Sequence, residues 1–307
     1  MAATPGVSVV IPTRGRPASL ARAMRSVFAQ TGVDPAAIEL VIVDNDAARG
    51  AEAAVEALES EAPFPVIYAC EPSPGVASAR NHALAASSAP LIAFLDDDEE
   101  ASPGWLAALL EARERFGADV VFGAVRGFAP DKVREHRPYL ERFFSREGPA
   151  EAQLIEHPYG CGDSLIARAA LPSREAPFSL AQNLIGGEDD ILFQEMRLAG
   201  ARFAWAPEAW VFEHPDPSRL SLGYALRRAF AYGQGPTYAC IHKNPPDRLG
   251  AVRWMAVGAA QTAIFGLWAA AKWLARTPDR AFALDRAARG LGKLLWFPPF
   301  KPKFYGG

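Results

Sequence analysis

Cysteine is scarce: the 307-residue chain has three, at Cys70, Cys161 and Cys240. The number is odd and the spacing fits no metal-ligand motif. That excludes a disulfide framework and a cysteine-bound zinc, and suits a reducing compartment. A surplus of basic charge is also missing. Lys and Arg total 32 against 35 Asp and Glu, a formal net charge of -3, so nothing in the electrostatics favours nucleic acid as a partner. No internal repeat and no low-complexity tract is present beyond a general richness in alanine. Half the residues are apolar and 22% are charged, which excludes a disordered tail, a collagen-like chain and a many-span membrane protein. The opening MAATPGVSVVIPTRGRP has no basic stretch before its apolar residues and runs directly into a strand pattern. It is therefore expected not to be a signal peptide, and the chain is expected in the cytoplasm.

What is present is an alternation of short apolar runs and helical spacings. Residues 7–11 (VSVVI), 38–43 (IELVIV), 66–69 and 91–95 (LIAFL) read as strands. Between them lie helices. The first opens at Pro17 with Leu20, Ala23, Met24, Val27 and Phe28 on one face, and others are expected at 51–58, 76–86 and 105–116. Fully apolar strands separated by helices predict an α/β fold with a mostly parallel sheet covered on both faces. Such sheets bind ligands at the carboxyl ends of their strands. Those ends here are PTRGRP, then Asp44-Asn45-Asp46, then Asp96-Asp97-Asp98. Residues 126–158, rich in Arg, Glu and Pro, read as a long loop or insertion. Residues 205–212 read as a strand pair ending at Glu213-His214.

Two acidic clusters carry the chemical interest. Three successive carboxylates after a buried strand repel one another, so Asp96–Asp98 calls for a cation, and Mg2+ or Mn2+ suits oxygen ligands. A solvated turn capping the following helix is the simpler alternative. Gly186-Gly187-Glu188-Asp189-Asp190 opens a helix, either as an ordinary acidic N-terminus or as a general base at a cleft. His214 is a lone histidine, structural or a further metal ligand. Arg80, among small residues in GVASARNHA, is either a surface ion-pairing group or the counter-charge to a diphosphate.

Taken in order, PTRGRP, IELVIVDND, GVASARNHAL, LIAFLDDDE and GGEDDILFQEMRLAG resemble the inverting glycosyltransferases of family 2, which have the GT-A fold. The resemblance covers roughly residues 7–235 and is narrower toward the bacterial glucosyltransferases of exopolysaccharide assembly. It implies that Pro12, Thr13 and Arg14 line a nucleotide site, that Asp44 contacts uracil and that Arg80 sits near the diphosphate. It implies that Asp96 and Asp97 face the ribose and metal region and that Asp98 ligates Mn2+ or Mg2+, with His214 as a further ligand. Asp189 would be the catalytic base and Glu188 would hold the acceptor. The chain departs from the family pattern at Asp163, where many relatives carry Asn, and at Arg14, where an aromatic residue is common.

The implied reaction moves a sugar from a nucleoside-diphosphate donor, a UDP-sugar above others, to a glycan or lipid-linked oligosaccharide in bacterial surface-polysaccharide synthesis. Two other classes compete. A nucleotidyltransferase would open with a glycine-rich, lysine-containing loop, which PTRGRP is not. A sugar-nucleotide or glycan-binding module without turnover is disfavoured by the intact Asp98 and Asp189. The catalytic domain is expected over 1–235 and a helical, membrane-associated region over 236–307. Within that region, residues 254–271 give 18 uncharged positions, near the lower limit for a span. Flanking basic residues and tryptophans, with the basic aromatic stretch 293–305, favour peripheral contact with the cytoplasmic face of the inner membrane.

Overall fold

The computed structural model describes residues 5–183 and 187–302. Gly186 of the expected Gly-Gly turn and the end of the 293–305 stretch lie outside the described residues. The chain forms two compact units. One takes in the chain up to Arg126 and again Ser145–His214; the other takes in Gly127–Phe144 and the chain from Pro215.

The first unit begins with β1 (Val7–Thr13), α1 (Pro17–Phe28), β2 (Ile38–Asp44), α2 (Glu52–Glu59), β3 (Val66–Cys70), α3 (Val76–Ala86) and β4 (Leu91–Phe94). Then come β5 (Glu99–Ala101), α4 (Trp105–Phe116) and β6 (Val120–Gly127). The chain leaves for α5 (Arg137–Phe143) and returns with β7 (Gln153–Ile155), β8 (Ser164–Ala167), α6 (Glu188–Leu198) and β9 (Phe203–Glu213). All of β2 is buried, as a strand covered on both faces must be. The α1 face read from spacing is the one that packs inward: Leu20, Ala23, Met24 and Val27 are buried.

Sheet order is β3-β2-β1-β4-β8-β6-β9-β5, with β7 paired to β9. Strands β1 to β4 pair in parallel, whereas β8 meets β4 and β6, and β9 meets β5 and β7, antiparallel. The sheet is thus mixed, its parallel half being the part built by strand–helix alternation. Residues 205–212 belong to one strand, β9, which runs through Pro207 without a break. The segment 126–158 holds α5 and β7 and is no plain loop. Both elements are short, and the three residues of β7 are largely exposed, so apolar periodicity gives no sign of them.

Register sets the polar edge. Thr13 lies opposite Asp44, and Asp44 opposite Cys70, so the tips of three parallel strands are level. Glu99 pairs with Glu213, and beyond that pair the His214 N–H donates to the Asp98 carbonyl at 2.7 Å. Residues 116 apart in the chain are thereby neighbours in space.

In the second unit α7 (Leu222–His242), α8 (Arg248–Leu274) and α9 (Arg280–Leu294) pack together, with α9 against both others. Helix α7 runs without interruption through residue 235. The crossings are tight: a β-carbon at Gly292 would lie 2.1 Å from the Phe230 carbonyl oxygen, so glycine lets the backbones touch. Helix α8 buries Ala251, Gly258 and Ala269, while Leu249, Leu267 and Leu274 on another face are 81%, 76% and 87% exposed. It is long and apolar enough to cross a membrane.

Candidate active site

At the tip of β2, Asp44 is fully buried. Its Oδ2 accepts from the Ala51 N–H at 2.8 Å and the Tyr68 hydroxyl at 2.9 Å, while Oδ1 has no hydrogen-bond partner. A buried acceptor without a donor costs about 1–3 kcal/mol, so it marks a place where a donor from outside would be favoured. Next to it Asn45 donates to the Glu71 and Ser73 carbonyls and accepts from the Gly75 N–H, tying this edge to the start of α3.

The aspartate triplet is divided among different partners. Asp97 is buried, accepts the Thr13 hydroxyl at 2.7 Å and pairs with Arg16 at 3.0 Å. Burial raises its pKa against the pull of Arg16 and Thr13. The same Arg16 Nη1 lies 3.2 Å from Asp98 Oδ2. Asp96 is the open member, with a side chain 41% exposed and Oδ1 3.6 Å from Arg80. Pro12 is the next-to-last residue of β1, beside Thr13, and Arg14 is exposed. Arg16, which sequence reasoning missed, stands two residues beyond Arg14 in the same loop. The call for a cation after the triplet was its available signal.

Arg80 joins the two acidic clusters. Its guanidinium is nearly fully buried between Asp96 on one side and Glu188, with which it forms a close ion pair, and Asp189 on the other, at 4.0 Å. Burial alone would lower its pKa, but the surrounding acidic groups outweigh burial and raise it, so it stays cationic. Glu188 is buried against it, and burial lifts the Glu188 carboxyl despite that cation. Asp189 is more open: Oδ2 accepts the Cys161 N–H at 3.1 Å and Oδ1 the Asp190 N–H at 2.9 Å. Gly187 caps the helix at φ +86°, a left-handed conformation that glycine adopts without strain. The clusters that sequence placed 90 residues apart therefore meet around one arginine.

His214 is brought to Asp98 by its main chain, while its Nε2 pairs with Glu100 at 2.9 Å. Burial, aided by Arg22, lowers its pKa against the effect of Glu100. Among the described residues no three His, Cys, Asp or Glu side chains are grouped to hold a cation by themselves. The donor set still fits a hard divalent cation. Carboxylates of Asp96 and Asp98 stand at the edge, already compensated by Arg80 and Arg16, and such cations commonly take one or two carboxylates with substrate phosphates.

A turn at 160–163 lies between the clusters. A β-carbon on Gly162 would fall 2.6 Å from Asp96 Oδ2, while the neighbouring Cys161 N–H reaches Asp189. The turn ends in Asp163, which is fully buried at φ +52°, accepts from Trp105 Nε1 at 2.7 Å and lies 3.5 Å from Arg146. Burial pushes the Asp163 carboxyl up to about 7, against Arg146 and Trp105. Burial and the nearby Asp96 and Asp163 push Glu99 well above the usual carboxylate range.

A pH dependence follows from Asp163. Its folded pKa lies above the ordinary 3.8, so the associated stability is complete below that value and is lost as pH rises through about 7. Asparagine has no such titration. Chemical denaturation at about pH 5 and about pH 8 is expected to find Asp163→Asn gaining on the wild type as pH rises. A difference that stays flat would contradict the assignment.

Comparison with known proteins gives a coherent result. The model for "Glycosyl transferase family 2" matches residues 8–172. Succinoglycan biosynthesis protein ExoM of Rhizobium meliloti (strain 1021) is 35% identical over 235 residues, 74% of this chain and 73% of its own. Among solved structures, the mannosyltransferase PcManGT from Pyrobaculum calidifontis, in complex with GDP-Man and Mn2+, aligns with a TM-score of 0.59 at 20% identity. The alignment covers 96% of this chain and 88% of that one. S. aureus TarS 1–349 in complex with UDP gives 0.53 at 16% identity, over 94% and 90%. At these identities the structural likeness is one of fold, the GT-A fold of both.

Proposed function

The chain belongs to glycosyl transferase family 2, and we propose that it is a metal-dependent, inverting glycosyltransferase. In this reading it moves a sugar from a UDP-sugar to a hydroxyl of a glycan or lipid-linked oligosaccharide, in the assembly of a bacterial surface polysaccharide. The observation that carries the reading is the meeting of the two carboxylate clusters around Arg80. One cluster suits the donor diphosphate and the other the acceptor hydroxyl.

Asp189 takes the proton from the acceptor hydroxyl as that oxygen attacks the anomeric carbon. The bond from that carbon to the diphosphate oxygen breaks in the same step, and the configuration inverts. Of the three acids at the start of α6, Asp189 suits the base because Glu188 is committed to Arg80. Glu188 then acts by holding Arg80, and Arg80 keeps the clusters from repelling one another. Asp98 would hold Mn2+ or Mg2+, with His214 beside it if the ring exchanges Glu100 for the cation. When bound, the cation would neutralise charge growing on the leaving diphosphate. Pro12, Thr13, Arg14 and Asp97 would line the nucleotide pocket. Turnover of a UDP-sugar that stops on chelation tests the reading; a panel of sugar nucleotides with Mn2+ giving neither binding nor hydrolysis would end it.

Asp44 offers Oδ1 to the imide N–H of uracil. In Asp44→Asn the amide oxygen must face the Ala51 N–H and the Tyr68 hydroxyl, which leaves an NH2 where the acceptor was. Donor would then meet donor. UDP affinity is expected to fall about tenfold or more, or about 1.4 kcal/mol, by calorimetry. Unchanged affinity would remove Asp44 from the pocket.

For localisation we favour the cytoplasmic face of the inner membrane. The support is α8, whose outward leucines share the helix with basic residues near both ends, Arg248 and Lys272, a pattern suited to anionic lipid. Flotation with vesicles containing phosphatidylglycerol is expected to carry the protein. Failure to float at low salt would contradict that placement.

A further inference from the structure

We infer that Arg146 is a positioning residue for the base: it clamps the 160–163 turn so that the Cys161 N–H stays on Asp189 Oδ2. This rests on the reading of Asp189 as base. The turn has glycine at 160 and 162, so its own backbone preferences hold it only weakly. Yet it supplies a hydrogen bond to one acidic cluster and packs against Asp96 of the other. Its rigidity has to come from outside.

Arg146 supplies it with all three guanidinium nitrogens. Nε donates to the Gly123 carbonyl at 3.1 Å, Nη1 to Gly160 at 3.0 Å, and Nη2 to Gly162 at 2.7 Å and Asp163 at 3.1 Å. The Arg146 main chain exchanges both hydrogen bonds with Val125, so the clamp is itself anchored to β6. The buried Asp163 carboxyl lies 3.5 Å from Nη2, and Trp105 Nε1 holds its far oxygen. A planar fork can reach three carbonyls of one turn and a strand at once; an ammonium cannot. The chain of contacts thus runs from β6 through Arg146 and the turn to the side chain that would take the proton. An error of an ångström there is enough to slow a reaction about a hundredfold.

The test uses the three cysteines. Labelling with 15N-cysteine gives three amide signals, from Cys70, Cys161 and Cys240. Asp189→Ala is expected to move the Cys161 signal and leave the other two. No movement overturns the contact, whether or not any Arg146 variant folds. Arg146→Lys is expected to bind UDP within about twofold of wild type, to move the Cys161 signal, and to slow hydrolysis about tenfold or more. Hydrolysis is measured on a pool of UDP-glucose, UDP-galactose and UDP-N-acetylglucosamine with Mn2+. Because Arg146 acts through Asp189, the double variant should be no slower than Asp189→Ala alone. Multiplying effects would overturn the inference and leave Arg146 a general support of the fold. So would a folded Arg146→Lys with the wild-type signal and rate. If Asp189→Ala moves the signal but hydrolyses at the wild-type rate, the assignment of the base has failed and the clamp has not.

Discussion

Asp189→Asn is expected to fold, to bind UDP and Mn2+ as the wild type does, and to transfer sugar about 10²–10⁴-fold more slowly. The amide keeps the size of the side chain and can still accept the Cys161 N–H, giving up the local bond from the Asp190 N–H, but it cannot take the acceptor's proton. Its neighbours should behave differently for stated reasons. Glu188→Gln weakens a buried pair with Arg80, and breaking such a pair by removing one partner costs about 3–5 kcal/mol. The loss there should appear in thermal stability as well as in rate. Asp190→Asn should be mild, because that residue is the member of the three that does not reach Arg80. Comparing the three variants in one transfer assay separates the roles. Wild-type transfer by Asp189→Asn, with either neighbour inactive, would show that the base lies elsewhere.

The second large effect is expected at the other cluster. Asp98→Ala should lower turnover about a hundredfold or more, equivalent to about 2.7 kcal/mol in the barrier, with the fold intact. The fold should survive because Arg16 keeps Asp97 at 3.0 Å and is about a third exposed, so its charge stays compensated and hydrated. Mn2+ binding in the presence of UDP should weaken in parallel. Full activity in this variant, or in the wild type with excess chelator, would contradict the assignment of Asp98.

The parallel half of the sheet was legible because its strands are buried on both faces and therefore apolar throughout. Their carboxyl ends were legible too, since Asp44 and the triplet interrupt that pattern at the point where a ligand would sit. The antiparallel half was legible mainly in β9, whose residues 205–212 read as strand. Strands β8 and β5 are four and three residues long, too short for an apolar run to mark them. Among the site residues, Arg146 makes its contacts chiefly with main-chain carbonyls, which leave no trace in side-chain composition. Asp163 was noticed only as a departure from the family pattern; its burial is the property of a fold already formed. Arg80 was weighed as a counter-charge to phosphate. The partners that hold it in the structure, Asp96 and Glu188, come from strand and helix ends far apart in the chain. The pairing of His214 with Glu100 depends on the register of β5 with β9, two strands that meet only after the sheet reverses direction.

The central claim is a single displacement at the anomeric carbon, assisted by a divalent cation and a carboxylate base. It is tested most directly by following an α-linked UDP-hexose with Mn2+ by proton NMR and recording which anomer of the released sugar appears first. The account predicts the β-anomer first, followed by slow mutarotation, and no release when Mn2+ is chelated. First appearance of the α-anomer, or release undiminished by chelation, would contradict it.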